Sequence, residues 1–381
     1  MEKELLLACK EILTKNDLEV SDKILKSLEE EGLKVEFYQK NLAPYLKIYS
    51  TKKRIISQIF PILHDTGLII IDDISYDITI DNKKIYIYRF LLQNSPLEIK
   101  KGEKNLTNIL ELAISQKILP RCPLYSLALK ENLSSKEITL LRALIKYENQ
   151  LVVEFNQNSI INTFLNHSCS AKSLVELFIA KFDPTIKNRK NIIKNIEEKI
   201  EECFKRVDNI TEDKIIRILY QIIQSTTRTN FFLNKETISF KVDISNLEDF
   251  LLGIQPKLEI YVYHRFFNGV HLRMSKISRG GIRWSDRFDD FREEIKSLMS
   301  TQEAKNAIIV PSGAKGGFVI YKDKLSFNEF KNYYTLFIDA LLDLIDNPNQ
   351  SKDKRIISYD DNDFYFVVAA DKGTASMSDI A

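Results

Sequence analysis

The stretch Asn306-Ala307-Ile308-Ile309-Val310-Pro311-Ser312-Gly313-Ala314-Lys315-Gly316-Gly317-Phe318-Val319-Ile320-Tyr321 governs how the last third of the chain reads. Asn306 to Val310 has the continuous apolar character of a buried strand. Pro311 to Gly317 reads as a loop, and Phe318 to Tyr321 as a further strand. A lysine set among three glycines is unusual in this sequence, which has only 11 glycines in 381 residues, well under the roughly 7% of average usage. Gly32, Gly67 and Gly102 are the only glycines before position 253, whereas Gly280, Gly281, Gly313, Gly316 and Gly317 crowd one short segment. Glycines spent so sparingly point to unusual backbone dihedrals or to close approach of a ligand.

The texture on both sides of this stretch is mixed α/β. Upstream, Leu258 to Phe267 and Val270 to Ser278 flank Asn268-Gly269, a strong hairpin signal. A helix with Phe291, Ile295 and Leu298 on one face follows. Downstream, Ser326-Phe327-Asn328-Glu329 is a capping box opening a helix with Phe330, Tyr333, Tyr334, Phe337, Leu341 and Leu344 inward. Phe364 to Ala370 reads as a strand running into Asp371.

Earlier in the chain the pattern differs. Residues 103–234 contain no glycine and read as helical, with stripes such as Ile193, Ile196, Ile200, Cys203, Val207 and Ile215, Ile216, Leu219, Ile222, Ile223. Such stripes pack a helical domain or present a partner surface, the first being their ordinary use. Leu46 to Tyr49, Ile55 to Leu63, Leu68 to Ile80 and Lys84 to Leu92 read as strand, helix, strand, strand, a small α+β unit similar to an ACT module. The first residues read as helices, through Leu5, Leu6, Cys9, Ile12 and Leu13, then from Ser21 through Ile24, Leu25 and Leu28 to Gly32. The expected architecture is multidomain α+β and α/β. It comprises a helical segment over 1–42, an ACT-like module over 43–100, a helical domain over 101–234 and a mixed α/β substrate-binding part over 235–381.

Composition removes several functional classes. With 55 basic and 53 acidic side chains the formal charge is +2, and the basic runs are dispersed, unlike the stripe of a nucleic-acid binder. No apolar run approaches the ~18–20 residues of a membrane span, and the apolar part of the N-terminus is short for a signal peptide. Cys9, Cys122, Cys169 and Cys203 form no CxxC pair, so reduced thiols in a cytoplasmic protein are expected. His264 and His271 sit on either side of the hairpin, where a metal pair is the minor reading, and no metal is expected.

The chemistry lies with the cations among the glycines. Lys315 precedes its glycine pair and no Ser or Thr follows it, so the run is not a Walker A loop, and no GxGxxG fingerprint for a dinucleotide occurs. Arg279 stands beside the pair Gly280-Gly281, and Lys305 ends the intervening helix. Three cations with two glycine pairs suit a small dianionic substrate. A desolvated lysine can also serve as a general base or polarise a carbonyl. Individually, Arg279 and Lys305 could equally be solvated surface charges.

Ser278-Arg279-Gly280-Gly281-Ile282-Arg283-Trp284-Ser285-Asp286, then Gln302-Glu303-Ala304-Lys305-Asn306-Ala307, then Gly313-Ala314-Lys315-Gly316-Gly317, resemble the catalytic domain of glutamate dehydrogenases. They look most like the large NAD-specific enzymes. Val367-Val368-Ala369-Ala370-Asp371-Lys372-Gly373-Thr374-Ala375 is similar to that family's next motif. Ile138 to Ala143 and Thr227-Arg228-Thr229-Asn230-Phe231 are similar to upstream segments of the same enzymes.

The resemblance implies NAD-linked oxidative deamination of L-glutamate to 2-oxoglutarate and ammonia. Lys315 and Asp371 would be catalytic. Arg279 would hold the distal carboxylate and Lys305 the α-carboxylate, with Gly280, Gly281, Gly313, Gly316 and Gly317 shaping the site. In the family the nucleotide-binding domain follows this segment. The chain is therefore expected to be an N-terminal and central fragment, inactive alone, that works with NAD held elsewhere, a separate chain being one candidate holder, and within a homo-oligomer. The alternative is a non-catalytic fragment or a regulatory ligand-binding module.

Overall fold

The computed structural model describes residues 21–305, 312–349, 351, 353–371 and 373–375, without the side chains of 22, 23 and 302–305. The helical spacing at Leu5 to Leu13 and the strand expected over Asn306 to Val310 fall outside the described residues. The chain forms two compact units, residues 1–135 and 136–381.

In the first unit, α1 (Asp22–Glu31) starts after Ser21 and stops at Gly32, whose φ of 70° is the left-handed cap geometry that glycine adopts without strain. The helical reading over 1–42 fails beyond this point, because Leu33–Lys40 is strand β1. Its register with β2 (Ala43–Ser50) runs from Leu33 opposite Ser50 to Lys40 opposite Ala43. Asn41 and Leu42 turn the hairpin at φ 51° and 67°.

After α2 (Ile56–Asp65) come β3 (Ile70–Ile80) and β4 (Lys83–Leu92), joined by Asp81 and Asn82 at positive φ. The sheet order is β1-β2-β4-β3, antiparallel throughout. Along β4, Ile85 and Ile87 pack with Ile24 and Leu28 of α1. Phe90, of opposite parity and hence on the other face, meets Phe60 of α2 at 5.8 Å between ring centroids. Helix α3 (Pro96–Ile114) begins with a complete Ser95/Glu98 capping box, and α4 (Ser126–Glu131) lies against it where Gly102 leaves no room for a Cβ beside Ala128 O.

The second unit opens with helices α5 (Ser135–Leu151), α6 (Gln157–Asn166), α7 (Ser168–Phe182), α8 (Arg189–Phe204) and α9 (Ile210–Ser225). Cys169 of α7 and Cys203 of α8 are joined as a disulfide, 6.5 Å apart at Cα, where the sequence suggested separate reduced thiols. Lys181 donates to the carbonyl oxygens of Ile223, Gln224 and Thr226, closing the C-terminal end of α9. The helical region ends there, earlier than residue 234, because Thr226–Thr229 is strand β5, paired with β6 (Ile238–Asp243). No helix among the described residues is long and apolar enough to cross a membrane.

The large sheet continues with β7 (Leu258–Tyr263), β8 (Phe267–Arg273), β9 (Ser278–Trp284), β10 (Ser312–Ile320) and β11 (Val367–Ala370), in the order β11-β9-β10-β8-β7-β6-β5. β8 is antiparallel to both β7 and β10, whereas β10 and β11 run parallel to β9. Parallel neighbours need crossovers, and α10 (Phe291–Lys305) and α11 (Phe327–Leu342) fall within them. The helices take opposite faces: a Cβ on Gly317 would strike Ile295 of α10, while Phe318, one residue on, packs with Phe330, Tyr334 and Phe337 of α11.

Two glycine readings change. The β7–β8 hairpin exists, but His264 to Phe266 form its connection. Asn268-Gly269 lies inside β8, where Gly269 is needed because a Cβ would come 2.4 Å from Phe337 Cε2. The run from Gly313 to Gly317, expected as a loop, is the centre of β10.

Candidate active site

Lys315 and Asp371 do not lie on neighbouring strands. Lys315 is on β10 and Asp371 directly follows β11, with β9 between them. Strands so related are about 9–10 Å apart, yet Lys315 Nζ donates directly to Asp371 Oδ2. The register of Gly313 with Arg279 and Gly316 with Ile282 sets Lys315 alongside Gly281, and Ala369 of β11 pairs with Gly281 from the other side. The two side chains therefore meet above a residue that has none. A Cβ at Gly281 would sit 2.9 Å from Asp371 Cβ.

The other glycines of the segment work by close packing. A Cβ on Gly280 would lie 1.6 Å from Ala314 O, so any side chain would push β9 from β10. On Gly316 it would reach Ile282 Cγ1 at 2.9 Å and His271 Cδ2 at 3.2 Å; on Gly317 it would reach Ile295 Cδ1 at 2.3 Å. Gly313 is buried, and its carbonyl accepts from Met274 N at 3.1 Å. None of the five has a positive φ. Unusual dihedrals, one of the two uses suggested by their scarcity, are not what they supply. Gly316 and Gly317 seat the strand rather than line the cleft.

Arg279, Gly280, Gly281, Lys315, Ala370 and Asp371 surround an open cleft of about 480 Å³. Arg279 is exposed at the start of β9, and its guanidinium has no ion-pair or hydrogen-bond partner among the described residues. The cleft thus presents a free cation beside an ion pair, a setting for an anionic ligand. Lys305 is the last residue of α10, the helix packed on this face through Ile295, and its side chain lies outside the described residues. A larger cleft, about 1100 Å³, opens between the end of α11 and Phe364. Its cations are already neutralised, Arg228 by Asp346, Lys235 by Asp343 and Arg355 by Asp353.

A further residue belongs to this site and received no role from the sequence. Thr374 Oγ1 accepts from Asp371 N at 2.9 Å and donates to Ile282 O at 2.8 Å, tying the turn after β11 to β9. Gly373 between them has φ 82°, and a Cβ there would lie 3.1 Å from Trp284 Cβ. The Asp-x-Gly-Thr order was the available signal, a polar turn with glycine at the left-handed position. Trp284 is 43% exposed and covers Phe330 at 4.7 Å between ring centroids.

The two hairpin histidines are buried and neutral. Burial, with a smaller push from Arg273, takes His271 down to about 3; burial, with Arg265, takes His264 down to about 4. His271 stacks on Phe366 at 4.9 Å. Among the described residues no group of three His, Cys, Asp or Glu could hold a metal ion.

The fit to a dinucleotide is equally readable. A phosphate-cradling fingerprint needs glycines in a strand-to-helix turn, whereas both glycine pairs here lie inside strands. The described residues therefore do not fit NAD.

Residues 199–381 match the catalytic domain of bacterial NAD-glutamate dehydrogenase, 123–184 the glutamate dehydrogenase helical motif 3, and 32–103 the glutamate dehydrogenase ACT3 domain. The NAD-specific glutamate dehydrogenase of Halomonas elongata is 34% identical over 350 residues, covering 86% of this chain and 21% of the relative. That of Pseudomonas aeruginosa is 33% identical over 386 residues, covering 94% and 24%, and that of Mycobacterium tuberculosis 30% over 411 residues, covering 98% and 25%. The chain thus spans a quarter or less of the length of these curated relatives. In the order ACT3 domain, helical motif 3 and catalytic domain, the chain belongs to the bacterial NAD-glutamate dehydrogenase family.

Proposed function

We propose that this chain forms the substrate side of NAD-linked oxidative deamination of L-glutamate to 2-oxoglutarate and ammonia. The observation that carries the reading is the Lys315–Asp371 pair above Gly281, in a cleft that also holds the unpaired Arg279. Arg279 binds the distal carboxylate bidentately, and Lys305 the α-carboxylate. That leaves the substrate's second carbon over Lys315 and Asp371.

Water attacks the carbon of the iminium left by hydride loss, and a new C–O bond forms as the C=N π pair moves to nitrogen and one water proton passes to the Lys315–Asp371 pair. The pair gives that proton to the amino nitrogen, and as the C–N bond breaks and ammonia leaves, the hydroxyl proton passes to the pair and the C=O bond forms. Lys315 in its ammonium form also stabilises the oxygen as charge develops on it. Hydride acceptance belongs to residues other than those described, in this polypeptide or in a separate chain. The working enzyme is a cytoplasmic homo-oligomer. The domain limits 43–100, 101–234 and 235–381 go with this reading, the first shifted to include β1 and the last to include β5.

Calorimetric titration of the chain with 2-oxoglutarate tests the assignment. Charge-assisted hydrogen bonds contribute about 1.5–3 kcal/mol each, so Arg279→Ala should weaken binding about 10- to 150-fold. Absence of binding by the unaltered chain, or equal binding by the variant, would remove the substrate assignment.

A further inference from the structure

Arg273, the last residue of β8, is 1% exposed and lies outside the cleft. Its guanidinium nevertheless reaches the beginnings of two of the strands that build it. NH1 and NH2 donate to Asp363 Oδ2 and Oδ1 at 2.6 and 3.0 Å. NH2 also donates to Tyr365 O at 2.9 Å and to Lys276 O, and Nε to Ser278 Oγ at 3.3 Å. Tyr365 is two residues before β11, whose Val367 pairs with Arg279; Ser278 immediately precedes Arg279. On the third strand, Ala314, the neighbour of Lys315, pairs with Arg273 itself, and Met274 N donates to Gly313 O at 3.1 Å. The strand bearing Arg279 and the strand leading into Asp371 are therefore both bonded at their starts to one buried side chain, and β10, which bears Lys315, pairs with the backbone of the same residue.

Asp363 fixes that side chain in turn. It is 2% exposed, and Oδ2 also accepts from Lys241 of β6 at 2.7 Å. Its backbone N–H donates to Asp346 Oδ2 at 2.7 Å, and Asp346 with Asp360 pairs to Arg228 of β5. Asp360 also reaches Lys241 at 2.7 Å. Three cations on β5, β6 and β8 thus face three carboxylates on the segment leading into β11. A buried network of this kind contributes little net stability relative to apolar packing, and a geometric role is its better attested use. Only arginine supplies a planar fork of donors for both carboxylate oxygens, two carbonyls and a hydroxyl at once.

We propose that Arg273, oriented by Asp363, is a positioning residue that sets the spacing of Arg279, Lys315 and Asp371 by holding the starts of β9 and β11 in register with β10. The proposal rests on the substrate assignment above for its ligand readout, but not for its spectroscopic one. Trp284, the only tryptophan, adjoins the turn that follows Asp371, where a Cβ on Gly373 would lie 3.1 Å from Trp284 Cβ, so its emission reports whether that turn stays seated.

The test compares the full chain with Arg273→Lys and Asp363→Asn, using 2-oxoglutarate calorimetry, Trp284 emission and thermal melting. Leu219→Ala in α9 is the control for stability loss alone. Arg273→Lys retains the charge and loses the fork. It should red-shift Trp284 emission and weaken 2-oxoglutarate binding at least about tenfold, the loss of one charge-assisted hydrogen bond to the ligand. Asp363→Asn should do the same, and Leu219→Ala should melt earlier with wild-type emission and affinity. Should the charge variants not fold, Ser278→Ala removes one acceptor and keeps the ion pair; about fivefold weaker binding is expected from one lost hydrogen bond.

A folded Arg273→Lys chain with wild-type emission and affinity within twofold would overturn the proposal. So would a Ser278→Ala chain unchanged in both, or a Leu219→Ala chain that loses affinity equally. If the unaltered chain binds no 2-oxoglutarate, the substrate assignment falls alone, and the emission of the variants still decides the positioning role.

Discussion

Gly281→Ala places one methyl group between the two candidate catalytic side chains. The residue lies in an extended strand with no positive φ, so alanine itself is compatible with the backbone. The difficulty is the neighbour, Asp371 Cβ at 2.9 Å, against the 3.5–4.0 Å of a relaxed carbon–carbon contact, a shortfall of roughly 0.6–1.1 Å. A Cβ cannot rotate away as the tip of a side chain can. The backbone after β11 must shift, and the Thr374–Ile282 hydrogen bond resists it.

Insertion of a methyl group into close packing costs about 1–3 kcal/mol. In a unit of this size that lowers the melting temperature by about 2–4 °C for each kcal/mol. The functional loss should be larger in proportion, because misplacing Lys315 and Asp371 forfeits their charge-assisted hydrogen bonds to the ligand, about 1.5–3 kcal/mol each. Thermal melting paired with 2-oxoglutarate calorimetry separates the two effects: a modest fall in stability with a disproportionate fall in affinity is expected. A variant that melts and binds as the unaltered chain does would refute the claim that Gly281 is bare so that Lys315 and Asp371 can meet.

Three further outcomes follow from the same structure. Gly280→Ala, whose Cβ would lie 1.6 Å from Ala314 O, should separate β9 from β10 and abolish cooperative unfolding of the unit in calorimetric scans. Glu148 is fully buried in α5, neither carboxyl oxygen has a hydrogen-bond partner among the described residues, and burial raises its pKa well above the usual value. Its stability contribution is present below the unfolded pKa of about 4.3 and declines as pH rises toward the folded value, so Glu148→Gln should raise the melting temperature at pH 8 and leave it unchanged near pH 4. Burial pushes Asp363 up, but its Arg273 and Lys241 contacts outweigh burial and hold it below the usual carboxylate value. That stability is present above about pH 3.9 and lost as pH falls further; acid titration by circular dichroism should show a shallower loss in Asp363→Asn.

The sequence was most legible where the signal is local. The Ser326/Glu329 capping box forms with both reciprocal hydrogen bonds, and the inward residues of α11 are those its spacing indicates. Gly32 ends α1 as a C-terminal glycine should. Reading failed where the cause is tertiary. Nothing within five residues of Lys315 reveals that Gly313 to Gly317 is a strand; the reason is Ala314 against Gly280 and Gly317 against Ile295. Asn268-Gly269 has the composition of a turn, yet Phe337, far along the chain, requires the glycine. β1 was missed although Asn41, at positive φ, marks its hairpin. Lys315 and Asp371 were identified by motif, but their contact across β9 is a product of strand order. Arg273 and Asp363, 90 residues apart, form a pair that no local pattern announces.

The most direct measurement of the central claim is a crystal structure of the chain with 2-oxoglutarate. The account predicts one ligand carboxylate on Arg279 and the keto carbon about 3–3.5 Å from Lys315 Nζ, above Gly281. A ligand bound elsewhere, or one in this cleft with its keto carbon turned away from Lys315 and Asp371, would contradict it.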